Sequence, residues 1–159
     1  MNEPKFWKRA VFWVLFCLGV GGAASWLTRD GLRAFDTMAK PPLTPPRIVF
    51  PIAWSVLLVM IGLGYALVRR ETAGTAGADR AGIAFAVQMT FFFCWMIWFF
   101  GLKWYVFAAV WLAGMIVSIA AMIAVYRKSS RTAALLQIPY LLWCCFALYL
   151  NIGVACLNA

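Results

Sequence analysis

The sequence predicts an all-α integral membrane protein, a bundle of five transmembrane helices whose long first loop acts as a lid. Three observations predict this class. Of 159 residues, 65% are hydrophobic and only 12% are charged, so the chain has more apolar surface than a soluble domain of this size can bury. Five apolar segments are long enough to cross the ~30 Å hydrocarbon core of a bilayer. None of these segments contains Asp, Glu, Lys or Arg.

The predicted spans form one transmembrane domain, residues 1–159. Basic residues before the first span resemble a signal peptide, but we expect a retained helix because no small-residue cleavage site precedes a soluble domain. The second span ends at Arg69 and Arg70, and a loop rich in Gly and Ala follows it. The predicted spans cover residues 10–27, 48–68, 82–102, 104–126 and 133–157.

The first loop, residues 28–47, is long for a connection between helices. Four prolines near its end fix φ and remove amide donors, which predicts a semi-rigid strap. Its first half can form a short amphipathic turn with Leu32, Phe35 and Met38 on one side. Such a turn is typical of a lid over a pocket, which would be hinged near Gly31, and equally of an interfacial helix that rests on lipid headgroups. The expected lid residues are Arg29, Arg33, Lys40, Pro41, Pro45 and Pro46.

Aromatic residues are too numerous for interfacial belts alone, with nine Trp, thirteen Phe and five Tyr. Some of them should therefore line an internal cavity. In the last span, two aromatics, a small residue and an amide fall on one helical face, and the third span has a similar sector. Ordinary bundle packing and a ligand cavity both explain these patterns. The two sets are Tyr140, Trp143, Ala147 and Asn151, and Gln88, Phe92, Trp95 and Phe99.

Several function classes are excluded or disfavoured. The chain has no histidine, and its five acids lie outside the spans, which excludes histidine catalysis, carboxylate pairs and proximal-histidine haem ligation. We expect no metal site, because the five cysteines lack metal-binding spacing and fall in apolar spans. Spans without charge argue against ion channels and proton-coupled carriers.

The basic residues predict contact with lipid and an orientation rather than nucleic-acid binding. The net charge is +9, and anionic lipid headgroups account for it without a nucleic-acid partner. Lys and Arg number three each in the N-terminal segment, the second loop and the fourth loop, against four in the first loop and one in the third. This distribution favours an N-terminus inside the cell.

Three motifs occur in a characteristic order along the chain. They are the proline strap that leads to Trp54, then Trp95 with Phe99-Phe100-Gly101, then Pro139-Tyr140-Leu141-Leu142-Trp143 followed by Leu150-Asn151. Together they resemble the translocator protein family, also called tryptophan-rich sensory proteins, over roughly Gly19 to Asn158. The resemblance implies a homodimer in a bacterial cell envelope.

The resemblance also implies a pocket for flat aromatic ligands under the first loop, lined by tryptophans at Trp54 and Trp143. We expect a porphyrin ligand and no required cofactor. Its propionates could meet Arg29, Arg33, Lys40 or Arg47 at the rim. The expected ligand-binding residues are Ala23, Trp26, Phe50, Trp54, Gln88, Phe92, Trp95, Phe107, Tyr140, Trp143, Ala147 and Asn151.

Two alternative functions stay open. Some family members are credited with light- and oxygen-dependent porphyrin breakdown, in which Trp54 and Trp143 would be redox-active neighbours without acid-base catalysis. The other alternative is a sterol or lipid translocator, or a structural membrane partner. The chain also departs from the family pattern in ways that should make the pocket more apolar. These departures are at Leu43, Leu58, Phe92, Met96 and Ile97.

Overall fold

The computed structural model describes residues 3–159, and side chains from Lys5 onward. Residues 1 and 2, which the predicted domain includes, lie outside the described residues. All regular structure within 3–159 is helical, and five helices are long and apolar enough to cross a membrane. The predicted five-helix bundle is confirmed. The helices are α1 (Glu3–Leu27), α2 (Arg29–Ala34), α3 (Val49–Glu71), α4 (Ala76–Met96), α5 (Tyr105–Arg127), α6 (Arg131–Leu135) and α7 (Ile138–Leu157).

The helices differ from the predicted spans at several boundaries, and α1, for example, begins at Glu3 instead of residue 10. Two of the differences have a clear local cause. Helix α4 begins six residues before the predicted Gly82, because the Thr75 hydroxyl accepts a hydrogen bond from the Gly77 amide (3.2 Å) and caps the helix. The predicted last span is divided into α6 and α7. Pro139 lies in the first turn of α7, where the missing amide hydrogen is tolerated.

The spanning helices form a ring in the order α1, α3, α7, α5 and α4, with α4 packing back on α1 and α3. The closest approach is between α1 and α3. A Cβ atom added to Gly62 would lie 2.7 Å from the Val14 Cα, so the two backbones are in direct contact. Such contact requires a residue without a side chain, as is common between helices in lipid.

The first loop folds over one end of this ring. Helix α2 continues into a short 3-10 turn, Phe35–Thr37, and the proline strap follows. Gly31 packs on the Phe100 carbonyl so closely that a Cβ atom would collide with it. The buried Thr28 hydroxyl donates to the Ala24 carbonyl (2.8 Å). This end of the loop is therefore anchored, which argues against the hinge that we expected near Gly31.

The strap is held on the C-terminal half of α7. The Tyr149 hydroxyl donates to the Pro42 carbonyl (2.7 Å), and the Asn158 amide donates to the Ala39 carbonyl (2.9 Å). Pro41 packs directly on Gly153, leaving no room for a Cβ atom there. The loop is thus fixed at both ends over the region between α3 and α7.

Candidate ligand-binding cavity

A cavity of about 670 Å³ lies under the first loop, within the size range of small-molecule sites. Its walls come from α1, α3, α4, α7 and the loop. Leu32 and Phe35 of the loop face the cavity, whereas Met38 packs outside it, where its sulfur accepts a hydrogen bond from the Tyr105 hydroxyl (3.4 Å). The first half of the loop therefore places its apolar side over the cavity.

The central feature of the cavity wall is the Trp54 ring. Its centroid lies 5.0 Å from the Phe92 ring, 5.9 Å from the Trp95 ring and 6.4 Å from the Trp143 ring. The Trp54 and Trp143 planes are perpendicular, and Phe50 packs edge-on against Trp143 at 6.2 Å. These five aromatic residues come from three different helices, α3, α4 and α7. The arrangement gives an apolar ligand flat aromatic surfaces on more than one side.

Polar side chains fix two of the cavity helices to their neighbours. The Asn151 carbonyl oxygen accepts from the Trp95 indole (3.1 Å), and its amide donates to the Tyr105 carbonyl (2.8 Å). Behind the wall, the Tyr140 hydroxyl donates to the Gln88 carbonyl oxygen (2.7 Å). The Trp95–Asn151 and Tyr140–Gln88 bonds link α7 to α4, and the bond from Asn151 to Tyr105 links α7 to α5. Hydrogen bonds of this kind hold aromatic side chains in one orientation, because leaving such groups unpaired in lipid is costly.

One buried polar group of a wall residue has no hydrogen-bond partner among the described residues. The indole N–H of Trp143 is buried and makes no hydrogen bond to any described residue. Trp143 lines the cavity, but its indole nitrogen is buried even though the cavity is open, so the residue presents its aromatic ring to the cavity. Buried donors without a partner are uncommon in native proteins. The wall therefore offers aromatic stacking, and the indole N–H of Trp143 does not face the open space.

The rim of the cavity is charged. Arg47 and Asp36 form an ion pair at 2.6 Å, and the Lys40 ammonium donates to the Asp36 backbone carbonyl (3.0 Å). Lys40 also lies over the Phe35 ring, 5.0 Å from its centroid. All of these residues contribute to the cavity wall. Two cations and one carboxylate thus surround the mouth of an otherwise apolar space.

The cavity also reaches the surface of the bundle between α1 and α3. Gly22 and Ser25 of α1, and Pro51 and Ser55 of α3, line the cavity and are exposed. Gly62 holds the same two helices in backbone contact further from the loop. The exposed lining residues of α1 and α3 therefore lie in the half of the bundle nearest the loop, and the Gly62 contact lies beyond them.

The structure brings most of the predicted site residues together. Phe50, Trp54, Phe92, Trp95, Trp143, Ala147 and Asn151 line the cavity, as do Lys40 and Pro45 of the predicted lid. Gln88 and Tyr140 lie behind the wall and support it. Pro41 is buried against α7, and the exposed Pro46 does not line the cavity.

Five predicted residues lie elsewhere. Trp26 is 65% exposed and, like Ala23, is on a face of α1 that does not line the cavity. Arg29 bonds to the Trp26 carbonyl, and Arg33 pairs with the exposed Asp30, both outside the wall. Phe107 belongs to a separate aromatic cluster on the outer face of α4 and α5. That cluster consists of Trp98, Trp104, Phe107 and Trp111.

Sequence reasoning missed the cavity face of α1. Leu18, Gly21, Gly22 and Ser25 recur at helical spacing and line the cavity. The pattern of small residues was visible, but it is equally typical of close helix packing. Sequence reasoning also did not identify Asp36 as a cavity residue. Its ion-pair partner, Arg47, is eleven residues further along the loop, and no local sequence pattern indicates that contact.

Comparison with known proteins identifies relatives over nearly the whole chain. Residues 13–157 match the model of the TspO/MBR family. The chain is 31% identical over 143 residues to the tryptophan-rich protein TspO of Chlorobaculum tepidum, covering 89% of this chain and 90% of that protein. It is 34% identical over 152 residues to its counterpart in Archaeoglobus fulgidus, covering 92% and 94%. The translocator protein of Bos taurus is 31% identical over 150 residues, covering 91% and 87%.

Proposed function

The chain belongs to the TspO/MBR family, and we propose that it is a membrane receptor for flat hydrophobic ligands, specifically porphyrins, which it binds in the cavity under the first loop. Family membership confirms the resemblance seen in the sequence and agrees with an integral, multi-pass membrane protein. The observation that carries the proposal is the group of rings around Trp54, within 6.4 Å of Phe92, Trp95 and Trp143.

A porphyrin matches this site in shape and chemistry. Its macrocycle is flat and apolar and can stack on aromatic faces, and the cavity of about 670 Å³ is of suitable size. Because the chain has no histidine, stacking rather than histidine coordination of a bound metal supplies the affinity.

Titration with protoporphyrin IX in detergent, followed by quenching of tryptophan fluorescence, tests the proposal. We expect saturable quenching, because the macrocycle would contact Trp54 and Trp143. Imidazole-free buffers and a metal-free porphyrin remove coordination as an explanation. An absence of saturable binding would exclude the porphyrin receptor and favour a sterol or lipid translocator or a structural membrane partner.

Photo-oxidative porphyrin breakdown is a second candidate function. It is favoured by the contact between the Trp54 and Trp143 rings, which places two oxidisable indoles side by side in the wall. Illumination of the saturated complex with oxygen distinguishes the two functions. Bleaching with a new product that requires the folded protein indicates breakdown, whereas a stable complex indicates binding alone.

A homodimer in the cell envelope, with the N-terminus inside, is part of the same proposal. Helix α4 presents an exposed face that includes Ile83, Ala86 and Val87, where the small side chain of Ala86 allows close helix approach. Ala86→Leu is expected to shift a detergent-solubilised dimer toward monomer, measured by light scattering. Val106→Leu, on the exposed face of α5, is the control. If the Ala86→Leu variant remains a dimer, the dimer interface does not include this face of α4.

A further inference from the structure

We propose that Arg47 and Lys40 form a carboxylate-recognition site at the rim of the cavity, which selects flat ligands carrying acidic side chains over uncharged ones. The inference rests on the proposed function, since it names the chemical class of porphyrin that the cavity takes. It follows from the position and the unused hydrogen-bonding capacity of these two side chains.

Arg47 is held at the mouth of the cavity with most of its donors available. Its Nη1 is 2.6 Å from the Asp36 carboxylate, and the Arg47 side chain is 71% exposed. A guanidinium carries five N–H donors in a rigid fork. The structure gives Arg47 no other side-chain hydrogen bond to a described residue. The remaining donors can therefore bind a carboxylate in the two-point manner that arginine favours.

Lys40 places a second cation beside the first. Its ammonium uses one donor on the Asp36 carbonyl and lies over the Phe35 ring, which leaves further N–H groups for a ligand. With the Asp36 carboxylate as the one acid in the cavity wall, this rim carries a net positive charge. The long side chains of both residues can follow a ligand carboxylate by small rotations.

The polarity of the cavity then determines how a ligand is oriented. Below the rim the wall is mainly aromatic and aliphatic. Its polar side chains there are Asn151, whose amide group already has protein partners, and the uncharged hydroxyls of Ser25 and Ser55. A carboxylate placed there would lose much of its hydration with no cation among the described lining residues to compensate for it. The apolar ring is therefore inserted toward Trp54, and the acidic groups stay at the rim with Arg47 and Lys40.

Asp36 occupies the place that a ligand carboxylate would take on Arg47. The Asp36 side chain is 35% exposed, pairs with the Arg47 guanidinium and, like Arg47, lines the cavity. A ligand carboxylate thus competes with Asp36 for Arg47. Removing the Asp36 charge should favour acidic ligands, because the like-charge repulsion at the rim disappears while an amide oxygen can still accept from Arg47.

The test compares protoporphyrin IX, which has two propionates, with its dimethyl ester, which has the same ring and no charge. In low salt and non-ionic detergent, we expect wild type to bind the diacid more tightly. Arg47→Gln should weaken diacid binding by about three- to fivefold, a size suited to an exposed charge pair, and leave ester binding unchanged. Asp36→Asn should strengthen diacid binding by a similar factor.

Arg33→Gln is the matched control, because Arg33 lies in the same loop, is similarly exposed and pairs with Asp30 outside the cavity wall. Arg33→Gln should change neither the affinity for protoporphyrin IX nor the affinity for its dimethyl ester. Unchanged ester binding also shows that each variant is folded. If diacid and ester bind equally well and Arg47→Gln leaves their ratio unchanged, this inference is overturned while the porphyrin receptor stands. If neither porphyrin binds wild type, both proposals are overturned.

Discussion

Trp54→Ala is expected to weaken porphyrin binding by about 2 kcal/mol, roughly thirtyfold in Kd. Trp54 lies at the centre of the aromatic wall, where its ring contacts Phe92, Trp95 and Trp143. The substitution removes a stacking surface and leaves a gap into which neighbouring rings can turn. Titration with protoporphyrin IX, read from the quenching of the remaining tryptophans, measures the change.

Two further variants separate stacking from general damage. Trp54→Phe keeps an aromatic ring and should lose only about 0.5–1.5 kcal/mol of binding free energy. Trp26→Ala removes an indole that is exposed and outside the cavity wall, so its Kd should match wild type. Equal affinities for wild type and Trp54→Ala, with normal thermal unfolding of both, would remove Trp54 from the binding site.

The number and type of helices could be predicted because the bilayer imposes the pattern. Each span must satisfy its own backbone and present apolar side chains over about 20 residues, and both properties are visible in a sequence. The cavity face of α7 was also predictable. Trp143, Ala147 and Asn151 share that face by helical periodicity alone, and a polar amide in an apolar span marks the side that faces protein.

The rotation of α1 could not be predicted in the same way. A helix in lipid has no polar outer face, so Trp26 is as stable toward the bilayer as toward a cavity. The structure places Gly21 and Gly22 toward the cavity and Trp26 outward. Phe107 shows the same ambiguity, since its aromatic stripe on α5 packs with Trp98 on the outside of the bundle.

The loop was predictable in part. The prolines indicate a stiff strap, and the structure shows one, but its anchors come from distant residues. Tyr149 and Asn158 bind the strap through its backbone carbonyls, which any sequence at the strap positions would offer. Gly31 suggested a flexible turn, yet the same lack of a side chain lets it pack on Phe100. A glycine alone does not distinguish these two uses.

Gly62→Leu is expected to destabilise the protein by about 3 kcal/mol, at the upper end of the cost of overpacking. A Cβ atom at Gly62 would lie 2.7 Å from the Val14 Cα and 2.9 Å from the Trp13 carbonyl carbon. Both are backbone atoms of α1, so no side-chain rotation can relieve the collision. Helices α1 and α3 must separate along the contact that joins them. Thermal unfolding in detergent, followed by circular dichroism, measures the loss.

Gly19→Leu is the matched control, because it makes the same change in α1 at an exposed position where no neighbouring atom of the described residues lies within 4 Å of the added Cβ. Leucine also has a higher helix propensity than glycine, which should leave this variant as stable as wild type or more so. If both variants lose stability equally, the loss comes from placing leucine in a helix in detergent and not from the contact between α1 and α3. A stable Gly62→Leu would mean that α1 is not held against α3 by backbone contact.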